Sequence, residues 1–524
     1  MTQLNPRAIP AGIVLALVGL IILAPLAGLV NLSGLPGYEP GDLRFWHSSY
    51  IRRVLSFSLW QAFLSTLCSV LPAILVARAF ALQMNFPMRG LLLRLFALPL
   101  VVPAVVAVMG VVSVYGTGGW IPLGKSLYGL NGILLAHVFF NLPLAVRLLL
   151  PQWQSIPEHH WQLGDQLGMS TWQRWRYLEW PALREALPGV MLLVFMLCLT
   201  SFAVVLTLGG GPKSTTLEVA IYQSLRFDFN PARAVVLALL QLVLCMLVAG
   251  VTLKLQRLPE VEITLTSGSR PQGLLQKPLD MVLILAATIY VGLPLSSMLI
   301  DAFSGPLLQI ISSIYLWQSI VKTLFIGLSA ALMSVIAGWF LLQYSASLAQ
   351  AGQTNRARLI DLAGSIVYVV PPLVIGTGMF VLLSSHVDVF NWVYPIVITI
   401  NALMGLPFVI RCLGPALRQN HARYHHLCQS LGLQGWNRFR YLEWPLLRRP
   451  LGLAAALVAA LAMGDLGVIA LFGTPDTATL ALVIYQQLGA YLIPHATVTA
   501  LVLLLLCLGV FWLLERGIGG KSDA

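Results

Sequence analysis

Charge is what this chain of 524 residues has least of. Asp, Glu, Lys and Arg make up only 10% of it, against about a quarter in a soluble globular protein. A chain so short of ionic side chains cannot clothe a water-facing surface, which excludes the soluble-enzyme, disordered and fibrous classes. Cysteine is scarce too. Cys68, Cys198, Cys245, Cys412, Cys428 and Cys507 lie scattered, five of them in apolar runs, with no CxxC pair. They read as small hydrophobes rather than as a disulfide framework or a metal site. A phosphate-binding loop is missing as well. The nearest approach, 209–215 (GGGPKST), has Pro212 where that motif needs glycine before lysine.

What is abundant is apolar. Hydrophobic residues are 58% of the chain and mean hydropathy is +0.84, so the expected surroundings are a lipid bilayer. A bilayer core about 30 Å thick takes roughly 20 apolar residues at 1.5 Å each. Scanning for such runs gives about twelve. Six lie near 10–30, 54–77, 91–115, 131–150, 186–208 and 234–255. Six more lie near 279–302, 319–343, 358–384, 392–411, 451–473 and 495–514. The first run, preceded by Arg7, is long for a secretory signal and lacks a small-residue cleavage site, so it reads as a retained anchor.

The net charge of +12 needs no nucleic acid to explain it, because excess Lys and Arg on one side fixes membrane orientation. With both termini inside, about 23 of the 31 cations fall on the inner side. The Arg52–Arg53 pair beside the second span is a local exception.

A repeat organises these spans. A shift of 264 residues lays 137–188 on 401–452 without a gap, with about nineteen identities. Arg147 meets Arg411, Gly168 meets Gly432, Trp172 meets Trp436, and Arg176-Tyr-Leu-Glu-Trp-Pro181 recurs as Arg440-Tyr-Leu-Glu-Trp-Pro445. Six spans is an even number, so both copies face the same way, as parallel repeats do. The expected fold is all-α and polytopic: two six-helix repeats, 1–255 and 279–524, joined by a Pro- and Gly-bearing cytoplasmic linker at 256–278.

Identity concentrates in an inner loop of about 35 residues between spans 4 and 5, and again between spans 10 and 11. Leu163 and Leu167 sit at i and i+4, as do Leu427 and Leu431, each pair on one helical face. Gly168 and Gly432 follow, where a helix end favours glycine. Trp172 and Trp436 come next. One reading is a loop that only packs beneath its own spans. The other is a helical elbow that docks in a groove of a partner, and retention of aromatic, arginine and glycine positions in both copies favours it.

Helix, glycine, helix and proline in this place resemble the "EAA" loop of binding-protein-dependent ABC importer permeases. Gly168 and Gly432 match its glycine, and Trp180-Pro181 and Trp444-Pro445 match its terminal pair. The eponymous triplet departs, reading Gln162-Leu163-Gly164 and His426-Leu427-Cys428, without the glutamate. Further blocks are similar to the fused permeases of bacterial thiamine importers: 113–120, 132–143, 208–212 with 220–223, and 464–473. The resemblance implies an inner-membrane permease subunit with no chemistry and no cofactor of its own. Its partners would be a homodimeric ATPase using ATP and Mg on the cytoplasmic side and a periplasmic solute-binding protein. The solute would be thiamine and its phosphates. Permeases of iron(III) importers are the nearest alternative. An ion-coupled 6+6 transporter is a further one, although the 78–90 loop lacks the acidic signature of that class.

Inside the spans, Asp465 falls opposite Ser201 of the first copy. A carboxylate at membrane depth costs at least about 2.5 kcal/mol on insertion scales, so it needs either a polar partner or the solute pathway, where it would suit a cation. Pro99, Pro103, Pro371 and Pro372 interrupt spans 3 and 9. His137, matched by Asn401, reads as an interhelical hydrogen-bonding group.

Overall fold

The computed structural model describes residues 8–30, 48–84, 86–255, 276–384, 386–433 and 435–519. Among these the secondary structure is helical, with no strand. Most of the linker, 256–275, lies outside the described residues, and its end, 276–278, opens the helix Gln276–Ser304.

Ten helices among the described residues are long and apolar enough to cross a membrane. The other two expected spans are present but broken. Span 3 is a short helix Arg89–Leu95, a 3-10 turn Leu98–Leu100 and a helix Ala104–Tyr115. Span 9 is Thr354–Ser365, a 3-10 turn Ile366–Val369 and Pro372–Ser384. Pro103 and Pro371 stand just before the last pieces, where missing N–H donors stop the preceding turn from continuing. Two further breaks carry no proline at the break itself. Trp180–Leu199 yields to Ala203–Leu208, and Trp444–Met463 to Gly467–Phe472. Both fall at the same register under the 264-residue shift.

The helices gather into two compact units. One comprises Trp46–Val219 and Val243–Gly305; the other comprises Met1–Phe45, Ala220–Leu242 and Pro306–Ala524. In the first unit, Ser49–Leu82, Leu130–Gln154 and Trp180–Leu199 pack round a core that includes Val70, Phe80, Leu149, Trp153 and Leu183. Ile284 and Ala287, from the leading helix of the second repeat, belong to that same core. That helix is also pinned by polar contacts: Gln83 Nε2 donates to Asp280 at 3.0 Å, Tyr290 Oη donates to the Leu135 carbonyl at 2.7 Å, and Ser113 Oγ bonds Asp301. In the second unit, Ile314–Gln350, Val393–Ser430, Trp444–Met463 and Ile493–Gly519 form the bundle. There the leading helix of the first repeat, Ala8–Val30, lies on Pro372–Ser384. Each repeat has thus lent its first helix to the other's bundle.

The two exchanges share a device. A Cβ built on Gly110 would lie 2.6 Å from the Pro294 carbonyl oxygen, and one on Gly378 would lie 2.5 Å from that of Pro25. Each leading helix carries an interior proline that a glycine of a broken span lets approach. A second shared pin holds the outer helices. Leu217 N donates to Ser58 Oγ, and Leu480 N donates to Thr323 Oγ1, both at 2.9 Å.

Candidate functional site: two matched elbows

The first elbow begins with the helix Glu158–Gln166. Its end is a Schellman arrangement: Met169 N bonds the Gly164 carbonyl at 2.9 Å, and Gly168 N bonds that of Asp165 at 3.0 Å. This turn needs Gly168 at φ +62°. Ser170 and Gln173 then form a capping box that starts the helix Thr171–Arg174. Arg174 reaches back across the turn to Asp165 at 2.7 Å and fixes the bend. A π-helical turn, Trp175–Glu179, follows, and Pro181 sits within the first turn of Trp180–Leu199.

The second elbow repeats the plan: Leu433 N bonds the Cys428 carbonyl at 2.9 Å, with Gly432 at φ +61°. The helix Gly435–Arg438, a π-helical turn Phe439–Glu443 and Pro445 at the start of Trp444–Met463 come after it. One local difference is instructive. The first copy's transmembrane helix stops at Gln154, and Pro157 precedes the separate elbow helix. In the second copy His421 holds the place of Pro157, and one helix, Val393–Ser430, runs unbroken from membrane to elbow.

The residues singled out from sequence divide into two faces. Gln162, Leu163, Leu167, Gly168 and Trp172 are exposed, and so are Leu427, Leu431, Gly432, Trp436 and Pro445. Trp172 and Trp436 are 67% and 68% exposed, far above the usual state of an indole. Gly164 and Cys428 are buried instead. A Cβ on Gly164 would meet Leu178 Cδ1 at 3.3 Å, so the helix packs its small position on the π turn. Pro181 is half-buried. His426 lies on Val393–Ser430, but its side chain is outside the described set.

The residues that anchor the elbows were not among those singled out. Glu179, 1% exposed, closes the π turn and accepts from three donors. Arg78 binds it through Nε at 2.6 Å and Nη2 at 2.9 Å, and Trp153 Nε1 donates at 2.9 Å. Glu443, 5% exposed, accepts from Arg438 Nε and from Gln343 Nε2, both at 2.9 Å. His421 Nε2 stands 3.0 Å from Arg438 Nη2, so the residue that lets the helix run on also joins this cluster. Arg78 and Gln343 belong to Ser49–Leu82 and Ile314–Gln350, the second helices of their repeats. Each elbow is therefore tied at its root to a long transmembrane helix. The available signal was the Glu inside the repeated Arg-Tyr-Leu-Glu-Trp-Pro, in a chain poor in acids.

Asp465 sits in the helix break before Gly467–Phe472. Its Oδ1 accepts from Gly467 N at 3.0 Å, and its Oδ2 accepts from Val468 N and from Asn401 Nδ2, both at 3.3 Å. These contacts supply the polar partners that its depth demands. Ser201 lies half-buried in the corresponding break of the first repeat. His137 Nδ1 is 2.8 Å from Ser65 Oγ, an interhelical hydrogen bond.

Each elbow thus sets a buried, ion-paired root beneath an exposed apolar tip. The family comparison defines the class. The model of the binding-protein-dependent transport system inner membrane component matches 69–258 and again 356–516, once in each repeat. The chain belongs to that family and is a multi-pass permease of the inner membrane. Among individual relatives, it is 43% identical to the thiamine transport system permease protein ThiP of Brucella abortus (strain 2308) over 523 residues. That alignment covers 96% of this chain and 95% of the relative. It is 44% identical over 494 residues to the protein of the same description from Escherichia coli (strain K12), covering 91% of each. A shorter likeness, 28% over 222 residues, is to the sulfate transport system permease protein CysW of Synechococcus elongatus. It covers 40% of this chain and 75% of that protein.

Proposed function

We propose that this chain is the membrane-spanning subunit of an ATP-driven importer that moves thiamine and its phosphates inward. The observation that carries the solute is identity above 40%, over more than nine-tenths of both chains, to proteins described as thiamine permeases. The observation that carries the mechanism is the pair of elbows, exposed at the tip and ion-paired at the root. A homodimeric ATPase, consuming ATP with Mg, takes one elbow on each subunit. A solute-binding protein delivers cargo on the opposite face. Both termini lie with the elbows on the cytoplasmic side, in keeping with the cation count. The breaks at Ser201 and Asp465 line the solute pathway, and the carboxylate suits the positive charge of thiamine. Closure of the ATPase moves the elbows and switches access from outside to inside.

The experiment is uptake by proteoliposomes carrying the assembled importer. Thiamine uptake requires ATP, the ATPase and the binding protein, and uptake by the purified chain alone would sink the mechanism. Gly168→Val and Gly432→Val test the elbows. Nothing lies within 4 Å of a Cβ at either glycine, so the substitution acts through a left-handed backbone that costs a branched residue about 1–2 kcal/mol. ATP hydrolysis persists while solute moved per ATP falls several-fold, and Asn at either position restores coupling. Unchanged coupling in both Val variants counts against the reading.

A further inference from the structure

Beside the first elbow, the short helix Arg89–Leu95 and the elbow-side end of Leu130–Gln154 border a cavity of about 310 Å³. Its lining is Leu93, Arg94, Ala97, Arg147, Leu150 and Pro151: two arginines, four apolar residues and no acid. Both arginines are exposed, and among the described residues neither has an ion-pair or hydrogen-bond partner.

Nearby cations are treated differently. Arg78 is neutralised by Glu179, and Arg174 by Asp165. In the second repeat the helix leading into the broken span, Thr354–Ser365, carries its own acid, and Asp361 binds Arg418 at 2.9 Å. Its counterpart Arg89–Leu95 reads RGLLLRL and offers none. Membrane orientation calls for cations on this side, but not for two of them around one apolar hollow. Like charges facing a common space repel until an anion enters. The planar guanidinium fork matches phosphate oxygens in particular. An apolar wall beside it suits a phosphate that carries a hydrophobic or aromatic body.

We propose that this cavity is a phosphate-binding site, with Arg94 and Arg147 taking the oxygens and Leu93, Ala97 and Leu150 seating the rest of the ligand. Such a ligand has two sources: a phospholipid headgroup in the leaflet at the elbow end, or the phosphate ester of a transported solute. The second source rests on the function proposed above; the first does not.

The test uses the importer assembled with its ATPase, carrying Arg94→Gln and Arg147→Gln singly and together. In one arm, complexes are released from nanodiscs of phosphatidylcholine with phosphatidylglycerol, and retained lipid is read by native mass spectrometry. In the other, phosphatidylcholine proteoliposomes take up thiamine or thiamine diphosphate. A loss of retained phosphatidylglycerol of about ten-fold in the double variant supports the site and names the lipid. A similar loss of thiamine diphosphate uptake, with thiamine uptake kept, supports it and names the solute. Unchanged lipid retention with unchanged uptake of both solutes overturns the proposal. Equal loss of both solutes without lipid loss also overturns it, because a phosphate site has no claim on unphosphorylated thiamine. If the wild-type importer carries neither solute, the proposed function fails and the lipid arm alone decides the site.

Discussion

Two of the chain's 19 acids occupy one structural position, each closing a π-helical turn and each buried against arginine. Their neighbours differ in a way that sets their worth. Arg78, with its side chain 17% exposed, reaches Glu179 from a separate long helix. Glu179→Ala strands that guanidinium and costs on the order of 3 kcal/mol. Glu443→Ala costs less, because Arg438 sits on the elbow itself and keeps His421 as a neighbour. Thermal unfolding of the detergent-purified variants checks the order, and a larger loss at Glu443 would contradict it. The exposed leucines, tryptophans and turn glycines were legible in the sequence because i, i+4 spacing and helix-end chemistry mark them. The anchoring glutamates were not. A π turn inserts an extra residue per turn, so counting at 3.6 residues does not assign the face on which positions 175–179 fall.

At the scale of elements, hydropathy located all twelve runs, and the prolines in spans 3 and 9 marked where two of them break. The breaks at 200–202 and 464–466 had no comparable mark. Asp465 there caps a new helix with its carboxylate, a role that depends on which backbone N–H groups happen to be free. The exchange of leading helices was equally hidden, since packing between distant segments leaves no periodicity behind. Its most sensitive points are Gly110 and Gly378. Even Ala would overlap a proline carbonyl at each, and because backbone cannot swing aside, Gly110→Ala and Gly378→Ala each destabilise by about 1–3 kcal/mol. Melting temperatures should fall together in the two variants, and an unchanged value in both would refute the close approach.

At the scale of the whole molecule, the sequence repeats and the compact units do not coincide. Each repeat has its leading helix in its sibling's unit, and Ala220–Leu242 of the first repeat falls in its sibling's unit too. Severing the chain within 256–278 therefore leaves two fragments that each lack a packing partner. Expressed apart, neither fragment should accumulate as a monodisperse species. Expressed together, they should co-purify and restore uptake, and a stable solitary fragment would speak against the exchange. The same feature gives the ribosome's direction of travel a structural meaning. The unit ending at Gly305 is complete once its borrowed helix has been made, well before the chain is finished. Ala8–Val30, made first, has to wait for Pro372–Ser384 before it finds its seat. Only 22% of its apolar window is covered even then, so lipid keeps it company cheaply through the delay, and the nascent protein assembles from its middle outward.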